Sequence, residues 1–300
     1  MLVVGFASLV AGLYVGSRHP GGGPESAAAA SKIVAVPRHA ARARKAEVLV
    51  HGPAVVRTPV AGLTAAAAVV IDEDTGQLLW GKHAHERRQI ASTTKIMTAL
   101  LALRKLKPHE VVTVDPSVTR VPLVREGLRA GERVEAWKLF YGALLYSGND
   151  TALELAIAAG GTRNAFVHEM NTEAKRLGLH DTHFRSPSGV VDTDNYSSAW
   201  DLAALTRVAM RNARFRAVVR TKRKQVPWSA PTYSKIYVNK NLMLRRYPGA
   251  TGVKTGYTHR AGHCLVATAT RHGHSLVAVV LASQDMYGDA TRLLDLGFSL

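Results

Sequence analysis

The sequence contains very little cysteine and comparatively few acidic side chains. Cys264 is the single cysteine in 300 residues, which excludes an internal disulfide and leaves stability to packing. It lies in the apolar run 263–269, where we expect a small buried strand residue rather than a nucleophile. The sequence has 22 aspartates and glutamates against 39 lysines and arginines. The net charge is +17, and the +4 of the first fifty residues leaves +13 for the remaining 250.

Motifs for metal sites and for nucleic-acid-binding folds are also missing. The closest of the thirteen histidines are the pairs His83/His85 and His272/His274, and no His-Glu-x-x-His or Cys-x-x-Cys pattern accompanies them. We therefore expect no metal and no other cofactor. Residues 211–224 hold seven lysines and arginines and no acid, without a nucleic-acid fold signature. Two interpretations remain for this cluster: a docking patch for an anionic polymer or membrane surface, or a solvated helix end and loop.

The N-terminal apolar run, residues 2–16, is shorter than the about 20 residues of a membrane-spanning helix. Its length suits a signal-peptide core of about 7–15 residues, although no positive charge precedes it. We interpret residues 1–19 as a signal peptide or an N-terminal membrane anchor and expect export to the cell envelope. Residues 20–62 are rich in glycine, alanine, proline and basic side chains, which is typical of a flexible basic linker. The folded domain is then expected over 63–300.

Hydrophobic patterning predicts a hairpin at each end of this domain. Apolar runs at 65–71 and 77–81 flank a polar turn, and runs at 264–270 and 275–282 flank another. Helices are expected between the hairpins and at the end, over 94–103, 134–146, 151–159, 162–177, 200–210 and 286–298. This order predicts an α/β fold of the α+β type. An antiparallel sheet built from both chain ends is flanked by helices and joined by a mostly helical subdomain.

Ser92-Thr93-Thr94-Lys95 places a serine and a lysine one helical turn apart. Residues three apart on a helix share one face, with about 5–6 Å between Cβ atoms, so Lys95 is able to take the proton of Ser92. At a helix start the backbone N–H of Ser92 is free to stabilise an oxyanion. Lys95 has to be neutral to act as a base, which burial and a neighbouring cation such as Lys254 would favour. A surface lysine on an exposed helix is the alternative interpretation.

Two further motifs follow in order along the chain. Ser147-Gly148-Asn149 occupies a corner between two predicted helices, where Ser147 is expected to relay a proton and Asn149 to hold a substrate peptide group. Lys254-Thr255-Gly256 is expected to open a strand. There Lys254 and Thr255 would bind a substrate carboxylate, Gly256 would admit the substrate backbone, and the N–H of Tyr257 would be the second oxyanion donor. Each motif alone is a common turn or strand start, but the ordered set is specific.

Together these motifs resemble the serine-type D-Ala-D-Ala carboxypeptidases of peptidase family S11, the low-molecular-mass penicillin-binding proteins. The similarity extends from about residue 63 to 298 and includes the stretches 74–76, 91–98, 170–179, 182–184, 187–189 and 261–262. It implies a DD-peptidase/β-lactamase-like fold and a catalytic domain over 63–300. It also implies an acyl-enzyme mechanism with Ser92, Lys95 and Ser147 as catalytic residues. Peptidoglycan stem peptides would be the substrates, β-lactams the inhibitors, and an anionic wall polymer or membrane surface a partner of the basic cluster.

Other activities compete with this interpretation. A D,D-endopeptidase would use the same residues on wall cross-links. A class A β-lactamase needs a glutamate-activated water, but no glutamate occurs from Ala174 to Leu300. A non-catalytic wall-binding or nucleic-acid-binding protein would leave the motifs without a role. Many family members also carry an arginine where this sequence has Asp289, and Arg292 one turn later is the candidate substitute for binding the substrate carboxylate.

Overall fold

The computed structural model describes residues 59–190, 194–228 and 234–300. The interpretations of residues 1–19 and of most of 20–62 concern positions outside these ranges. None of the helices in the described ranges combines the length and the apolar character needed to cross a bilayer.

A five-stranded antiparallel sheet is built from the two ends of the described chain. Its strands are β1 (Ala67–Asp72), β2 (Leu78–Lys82), β9 (Ala250–Thr258), β10 (Gly262–Arg271) and β11 (His274–Ser283), in the order β2-β1-β11-β10-β9. The first strand pairs directly with the last, from Ala67 opposite Leu281 to Asp72 opposite Leu276. Both terminal hairpins, and the sheet that joins them, are therefore confirmed.

Alternate residues of the central strands face two separate hydrophobic layers. Val69 and Ile71 belong to the core shared with the helical subdomain, whereas Ala68 and Val70 pack into a second core. That second core includes Leu293 and Leu294 of the C-terminal helix. Because side chains alternate across a strand, a sheet covered on both faces requires apolar residues at every position. This explains the continuous apolar runs in the sequence.

Helices form the middle of the chain and cover both faces of the sheet. They are α1 (Lys95–Lys105), α2 (Ala136–Tyr141), α3 (Asn149–Gly160), α4 (Arg163–Arg176), α5 (Ala199–Met210), α6 (Ala213–Val219), α7 (Met243–Arg246) and α8 (Met286–Ser299). The Thr162 hydroxyl accepts the N–H of Ala165 and caps α4, and Gly178 follows that helix with φ of +71°. The boundary residues expected for α4 are confirmed.

Short strand pairs connect the helices. They are β3 (Arg88–Gln89) with β6 (Tyr196–Ser197), β4 (Val111–Thr113) with β5 (Arg133–Glu135), and β7 (Arg223–Val226) with β8 (Lys235–Val238). The single helix expected over 134–146 is wrong. Val134 and Glu135 belong to β5, and a wide π-type turn over Gly142–Tyr146 follows α2. Pairing with β4, a long-range contact, decides the conformation of those first residues.

One local expectation near the motifs also needs correction. Lys254-Thr255-Gly256 lies in the middle of β9, which begins at Ala250, because the register with β10 extends four residues further than the apolar pattern indicates. Asp150 lies inside α3, and its carboxylate accepts the backbone N–H groups of residues 126–128. It therefore anchors that loop at the start of the helix.

Candidate active site

Ser92 lies in a 3₁₀ turn, Ala91–Thr94, that leads directly into α1. The turn begins with Ala91 at φ of +45°, a left-handed conformation that costs a non-glycine residue about 1–2 kcal/mol. Both the backbone N–H and the hydroxyl of Thr93 donate to the carbonyl of Ile90, at 3.1 and 2.7 Å, which holds the turn. Ser92 is 7% exposed and opens onto a cleft.

Lys95 is fully buried directly behind Ser92. Its Nζ lies 2.9 Å from Ser92 Oγ, 2.9 Å from Asn149 Oδ1 and 3.0 Å from the carbonyl oxygen of Ser188. A neutral amine has two hydrogens and one lone pair. The amide oxygen of Asn149 and the carbonyl oxygen of Ser188 only accept, so in the neutral form they take the two hydrogens, and the lone pair is left facing the Ser92 hydroxyl. This arrangement suits a base that removes the proton of Ser92.

The electrostatic surroundings of Lys95 favour the neutral form. Burial lowers the pKa of Lys95 well below its usual range, and the positive charges of Lys254 and Lys240 lower it further. Asp150 acts in the opposite direction with the smallest effect. Lys254 was expected from the sequence to be the neighbouring cation, and the structure adds Lys240.

Ser147 links the second motif to the third. Its hydroxyl accepts from Lys254 Nζ at 3.0 Å, and its own backbone is left-handed, with φ of +73° at the end of the π-type turn. Lys254 Nζ also donates to the carbonyl of Thr255 at 2.9 Å and is 1% exposed. Burial, followed by the charge of Lys240, lowers the pKa of Lys254 to about 7. The structure thus places the pairs Ser92–Lys95 and Ser147–Lys254 at one cleft, and the charge of Lys254 lowers the pKa of Lys95.

Asn149 contacts Lys95 directly. Its side-chain oxygen accepts from Lys95, and its Nδ2 donates to the carbonyl of Pro122 at 3.2 Å. Its backbone N–H donates to Val124 at 2.8 Å. Asn149 therefore orients the Lys95 amine, a role that sequence reasoning missed, while it also lines the cleft where a substrate peptide group was expected.

The loop over residues 186–189 supplies the third contact of Lys95, through the carbonyl of Ser188. This loop lies on the turn that carries Ser92, and Thr98 Oγ1 donates to the carbonyl of Pro187 at 2.7 Å. Gly189 has φ of +76°, and a Cβ there would lie 2.0 Å from the carbonyl oxygen of Ala91. Only glycine allows this approach, which explains a residue whose role was not evident from the sequence.

A cleft of about 520 Å³ runs past Ser92. Its described lining residues are Ser92, Leu123, Val124, Ser147, Asn149, Val190, Lys240, Thr255, Gly256, Tyr257, Thr258, His259, Met286 and Tyr287. Residues 255–257 bring strand β9 alongside the serine, and a Cβ at Gly256 would lie 3.0 Å from the backbone nitrogen of Ser92. The strand backbone therefore passes close to the N–H of Ser92, and the Tyr257 side chain is half exposed at the cleft.

Asp289 and Arg292 are engaged away from this cleft. The Asp289 carboxylate is completely buried and accepts from the N–H and hydroxyl of Thr64, at 2.9 and 2.7 Å, and from the hydroxyl of Ser283 at 2.6 Å. Arg292 lies 3.4 Å from Asp289 and 3.8 Å from Asp285. The expectation that Arg292 replaces a carboxylate-binding arginine finds no support in this geometry, since Arg292 is tied to two acids and is absent from the described cleft lining.

No cluster of three or more histidine, cysteine, aspartate or glutamate side chains suited to a metal occurs in the part of the chain that the structure describes. Cys264 is buried in β10, and burial raises the pKa of its thiol to about 11. It behaves as the core residue expected from the sequence.

Comparisons with known proteins agree on one family. Residues 54–285 match the model of Peptidase_S11, described as D-alanyl-D-alanine carboxypeptidase. The D-alanyl-D-alanine carboxypeptidase of Streptomyces sp. strain K15 is 36% identical over 261 residues, which are 79% of this chain and 88% of that protein. DacF of Bacillus subtilis strain 168, a D-alanyl-D-alanine carboxypeptidase, is 33% identical over 253 residues, 81% of this chain and 64% of its own length.

Solved structures give the same result. A point mutant of Streptomyces K15 DD-transpeptidase superposes with a TM-score of 0.76 at 35% identity, covering 81% of this chain and 100% of that one. The present chain thus spans nearly all of the K15 protein but about two thirds of DacF. The predicted fold class, an antiparallel sheet flanked by helices in a DD-peptidase arrangement, is confirmed.

Proposed function

The chain belongs to the peptidase S11 family of D-alanyl-D-alanine carboxypeptidases, and we propose that it removes the terminal D-alanine from peptidoglycan stem peptides through a serine acyl-enzyme. The 2.9 Å approach of the buried Lys95 amine to Ser92 Oγ carries this proposal. Burial and the neighbouring positive charges favour the neutral form of Lys95. In that form the amine donates to Asn149 and to the carbonyl of Ser188, and its lone pair faces the serine.

In the acylation step, Lys95 removes the proton of Ser92 as Oγ attacks the carbonyl between two D-alanines. The negative charge that develops on the carbonyl oxygen is stabilised by the backbone N–H groups of Ser92 and Tyr257, which act as the oxyanion hole. The close passage of β9 at Gly256 along the Ser92 turn supports this pairing of donors. The product of the attack is a tetrahedral intermediate covalently bound to Ser92.

The leaving D-alanine needs a proton on its nitrogen. Lys95 carries the proton from Ser92, and the hydroxyl of Ser147 is the group that passes it on. The Lys254 ammonium, 3.0 Å from Ser147 Oγ, fixes the orientation of that hydroxyl. A water molecule then attacks the ester and gives its proton to Lys95. Ser92 leaves with a proton, and the trimmed peptide is released.

The cleft lining supports a peptide that lies along β9. Thr255 offers a hydroxyl to the substrate carboxylate, Gly256 leaves room for the substrate backbone, and the Nδ2 group of Asn149 contacts a substrate peptide group. Lys254, in the same strand, contributes its charge to this region from its position beside Ser147. These assignments agree with the roles expected from the motifs.

The same serine would be acylated by β-lactams, and slow hydrolysis of that acyl-enzyme makes them inhibitors. No carboxylate occurs among the described lining residues of the cleft, so that part of the chain provides no glutamate to activate a water as class A β-lactamases do. This favours a peptidase over a β-lactamase.

Intact-mass measurement after incubation with benzylpenicillin tests the nucleophile. The wild-type protein is expected to gain the mass of one penicillin molecule and to retain it for much longer than one turnover of the peptide substrate takes. Ser92→Ala is expected to gain no such mass. Release of free D-alanine from a pentapeptide, assayed on the same samples, tests the reaction. Absence of any adduct with wild-type protein would overturn the proposal in favour of a non-catalytic wall-binding protein, and rapid penicillin hydrolysis would indicate a β-lactamase.

Cleavage of cross-linked peptide dimers distinguishes a D,D-endopeptidase from a carboxypeptidase. The proposed carboxypeptidase releases D-alanine from the pentapeptide at least ten times faster than it cleaves the dimer. The reverse order would assign the active site to cross-link cleavage.

The domain organisation and location follow from this activity. Residues 63–300 form the catalytic domain, 20–62 a basic linker, and 1–19 a signal peptide or membrane anchor for export to the cell envelope, where peptidoglycan is found.

In the cluster 211–224, Arg214 donates to the carbonyls of Leu103 and Leu106 at the end of α1. Arg216 donates to the carbonyl of Met210 at the end of α5. Part of the cluster is therefore structural, and the exposed Arg220, Lys222 and Arg223 remain as contacts for an anionic wall polymer or membrane surface.

A further inference from the structure

The strand pair β7–β8 lies in a long segment of the chain that has no acidic residue. From Leu202 to Gln284 the sequence contains fifteen lysines and arginines and no aspartate or glutamate. Three exposed cations of this segment, Arg220, Lys222 and Arg223, lead into β7 or begin it. Because no carboxylate of the segment offsets its charges, the surface that it forms attracts anionic partners.

One face of this strand pair is open to solvent. The register places Arg223 opposite Val238 and Gln225 opposite Ile236. All four side chains are exposed, whereas Tyr237, which points to the other side of the strand, is buried. Directly opposite residues have Cβ atoms about 4.5–5.5 Å apart, so the four side chains form one patch, the outer hairpin face.

The two aliphatic side chains of the outer hairpin face distinguish between the possible anionic partners. Ile236 is 50% exposed and Val238 is 45% exposed. A polyanion dissolved in water is held by the cations and gains little from aliphatic side chains placed between them. The interface of a bilayer uses both, since its phosphates attract lysine and arginine and its acyl boundary buries apolar side chains. The combination favours a membrane surface over a wall polymer.

We propose that the outer hairpin face docks on an anionic membrane surface, with Ile236 and Val238 at the acyl boundary and the three exposed cations on the lipid phosphates. This inference rests on the proposed function, which places the domain in the cell envelope. The cleft begins next to this face, because β8 ends at Val238 and Lys240, two residues later, lines the cleft. Docking therefore brings the cleft close to the membrane surface.

The test uses the full chain with one environment-sensitive thiol label. Cys264 is buried and its thiol pKa is raised to about 11, so a cysteine introduced at the surface reacts selectively. Gln225→Cys places the label on the outer hairpin face, and Asn164→Cys places it on an exposed position of α4 as the control. Because the label reports only its own surroundings, its signal is separate from any membrane contact of residues 1–19.

On vesicles made from equal parts of phosphatidylglycerol and phosphatidylcholine, emission from position 225 is expected to shift to shorter wavelength and to be quenched by brominated acyl chains. Emission from position 164 is expected to stay unchanged. With phosphatidylcholine alone, the lipid concentration for a half-maximal shift at position 225 should rise at least about tenfold, because attraction of the cations is lost.

Variants in the Gln225→Cys background separate the two contributions. Ile236→Thr combined with Val238→Thr keeps β-branched residues but removes apolar contact, and should raise the half-maximal lipid concentration about tenfold or more. Arg223→Gln should raise it about fivefold. Val111→Thr is the matched control, since this valine of β4 is 47% exposed and lies outside the outer hairpin face, and it should change nothing.

The outcomes that contradict the proposal are distinct from those that contradict the peptidase function. A wild-type response in the double threonine variant, together with a loss in Arg223→Gln, would assign the face to a wall polyanion and overturn membrane docking. An equal signal, or none, at positions 225 and 164 would also overturn it. Penicillin labelling of Ser92 reports on the function alone. A wild-type midpoint of urea unfolding shows that each variant is folded, and the single threonine variants are measured if the double variant fails this criterion.

Discussion

A lysine can act as a base only where the protein favours its neutral form, and the surroundings of Lys95 do so. Two acceptors that never donate, Asn149 Oδ1 and the Ser188 carbonyl, take the amine hydrogens. Burial and two neighbouring lysines make a third proton unfavourable. The amide oxygen of Asn149 accepts a hydrogen bond without carrying a negative charge, so it does not favour the protonated lysine as a carboxylate would.

Replacing that amide by a carboxylate is expected to disable the base. In Asn149→Asp a negative charge next to Lys95 raises the pKa of the lysine, so that it stays protonated at pH 7. The rate of acylation by penicillin at pH 7 should fall at least about 100-fold, as expected for loss of a general base. The rate should recover in part at pH 9, because the base regains its lone pair above its own pKa.

Asn164→Asp, an equal change at an exposed site of α4, is the control and should retain the wild-type rate at both pH values. A loss of the same size at pH 7 and pH 9 in Asn149→Asp would show that the amide matters for geometry alone.

At the scale of elements, the active site is the junction of a turn, a loop and an edge strand. The Ala91–Thr94 turn carries the serine, the 186–189 loop covers the turn, and β9 passes along it. Two of these three approaches depend on glycines, Gly189 and Gly256, at which a Cβ would meet backbone atoms within 3.0 Å. Packing between elements thus sets the distances that the chemistry requires.

Gly189→Ala should therefore destabilise the protein and slow acylation together. A left-handed alanine alone costs about 1–2 kcal/mol, and displacement of the loop from Ala91 adds to this and moves the Ser188 carbonyl away from Lys95. We expect the free energy of unfolding, measured by urea titration, to fall by about 3 kcal/mol or more. Gly273→Ala is a matched control, since Gly273 has φ of +84° but no atom within 4 Å of its Cβ position. Equal losses in the two variants would show that the loop adapts without cost.

At the scale of the whole molecule, the two ends of the catalytic domain are joined by a buried carboxylate. Asp289 at the start of α8 accepts from Thr64 just before β1 and from Ser283 at the end of β11. Asp289, at the position where many family members carry an arginine, therefore has a structural function. Its contacts hold the first strand, the last strand and the last helix together.

Asp289→Ala is expected to lower the free energy of unfolding by about 3 kcal/mol, because buried N–H and O–H donors lose their acceptor. Penicillin acylation of the folded protein should be unchanged within about twofold. Thr64→Val removes the hydroxyl from the same contact, and a double-mutant cycle should show coupling of about 0.5–3 kcal/mol between the two sites. Strictly additive effects, or a loss of substrate preference in Asp289→Ala, would contradict this assignment.

The sequence is sufficient for the features that depend on local patterns. Apolar runs bounded by turn residues predict both terminal hairpins, and the spacing from Ser92 to Lys95 predicts their approach. Features that depend on contacts between residues distant in sequence were not predicted from it. Val134 joins a strand because β4 pairs with it, β9 begins at Ala250 because β10 extends that far, and Lys240 reaches the cleft only through the placement of the loop after β8. No local pattern around these residues indicates those partners.

The pairing of β1 with β11 also determines how late in synthesis the sheet can form. Of the two strands that neighbour β1, β11 lies more than 200 residues later in the chain, so the sheet cannot close until residues 274–283 have been synthesised. Strand β9, which forms one wall of the serine's cleft, is held in the sheet by β10, and β10 is held by β11. Contacts of such long sequence separation form slowly. Under the proposed mechanism, a growing chain that already contains Ser92, Lys95 and Ser147 therefore lacks the β9 wall of its cleft until almost the whole domain has been made.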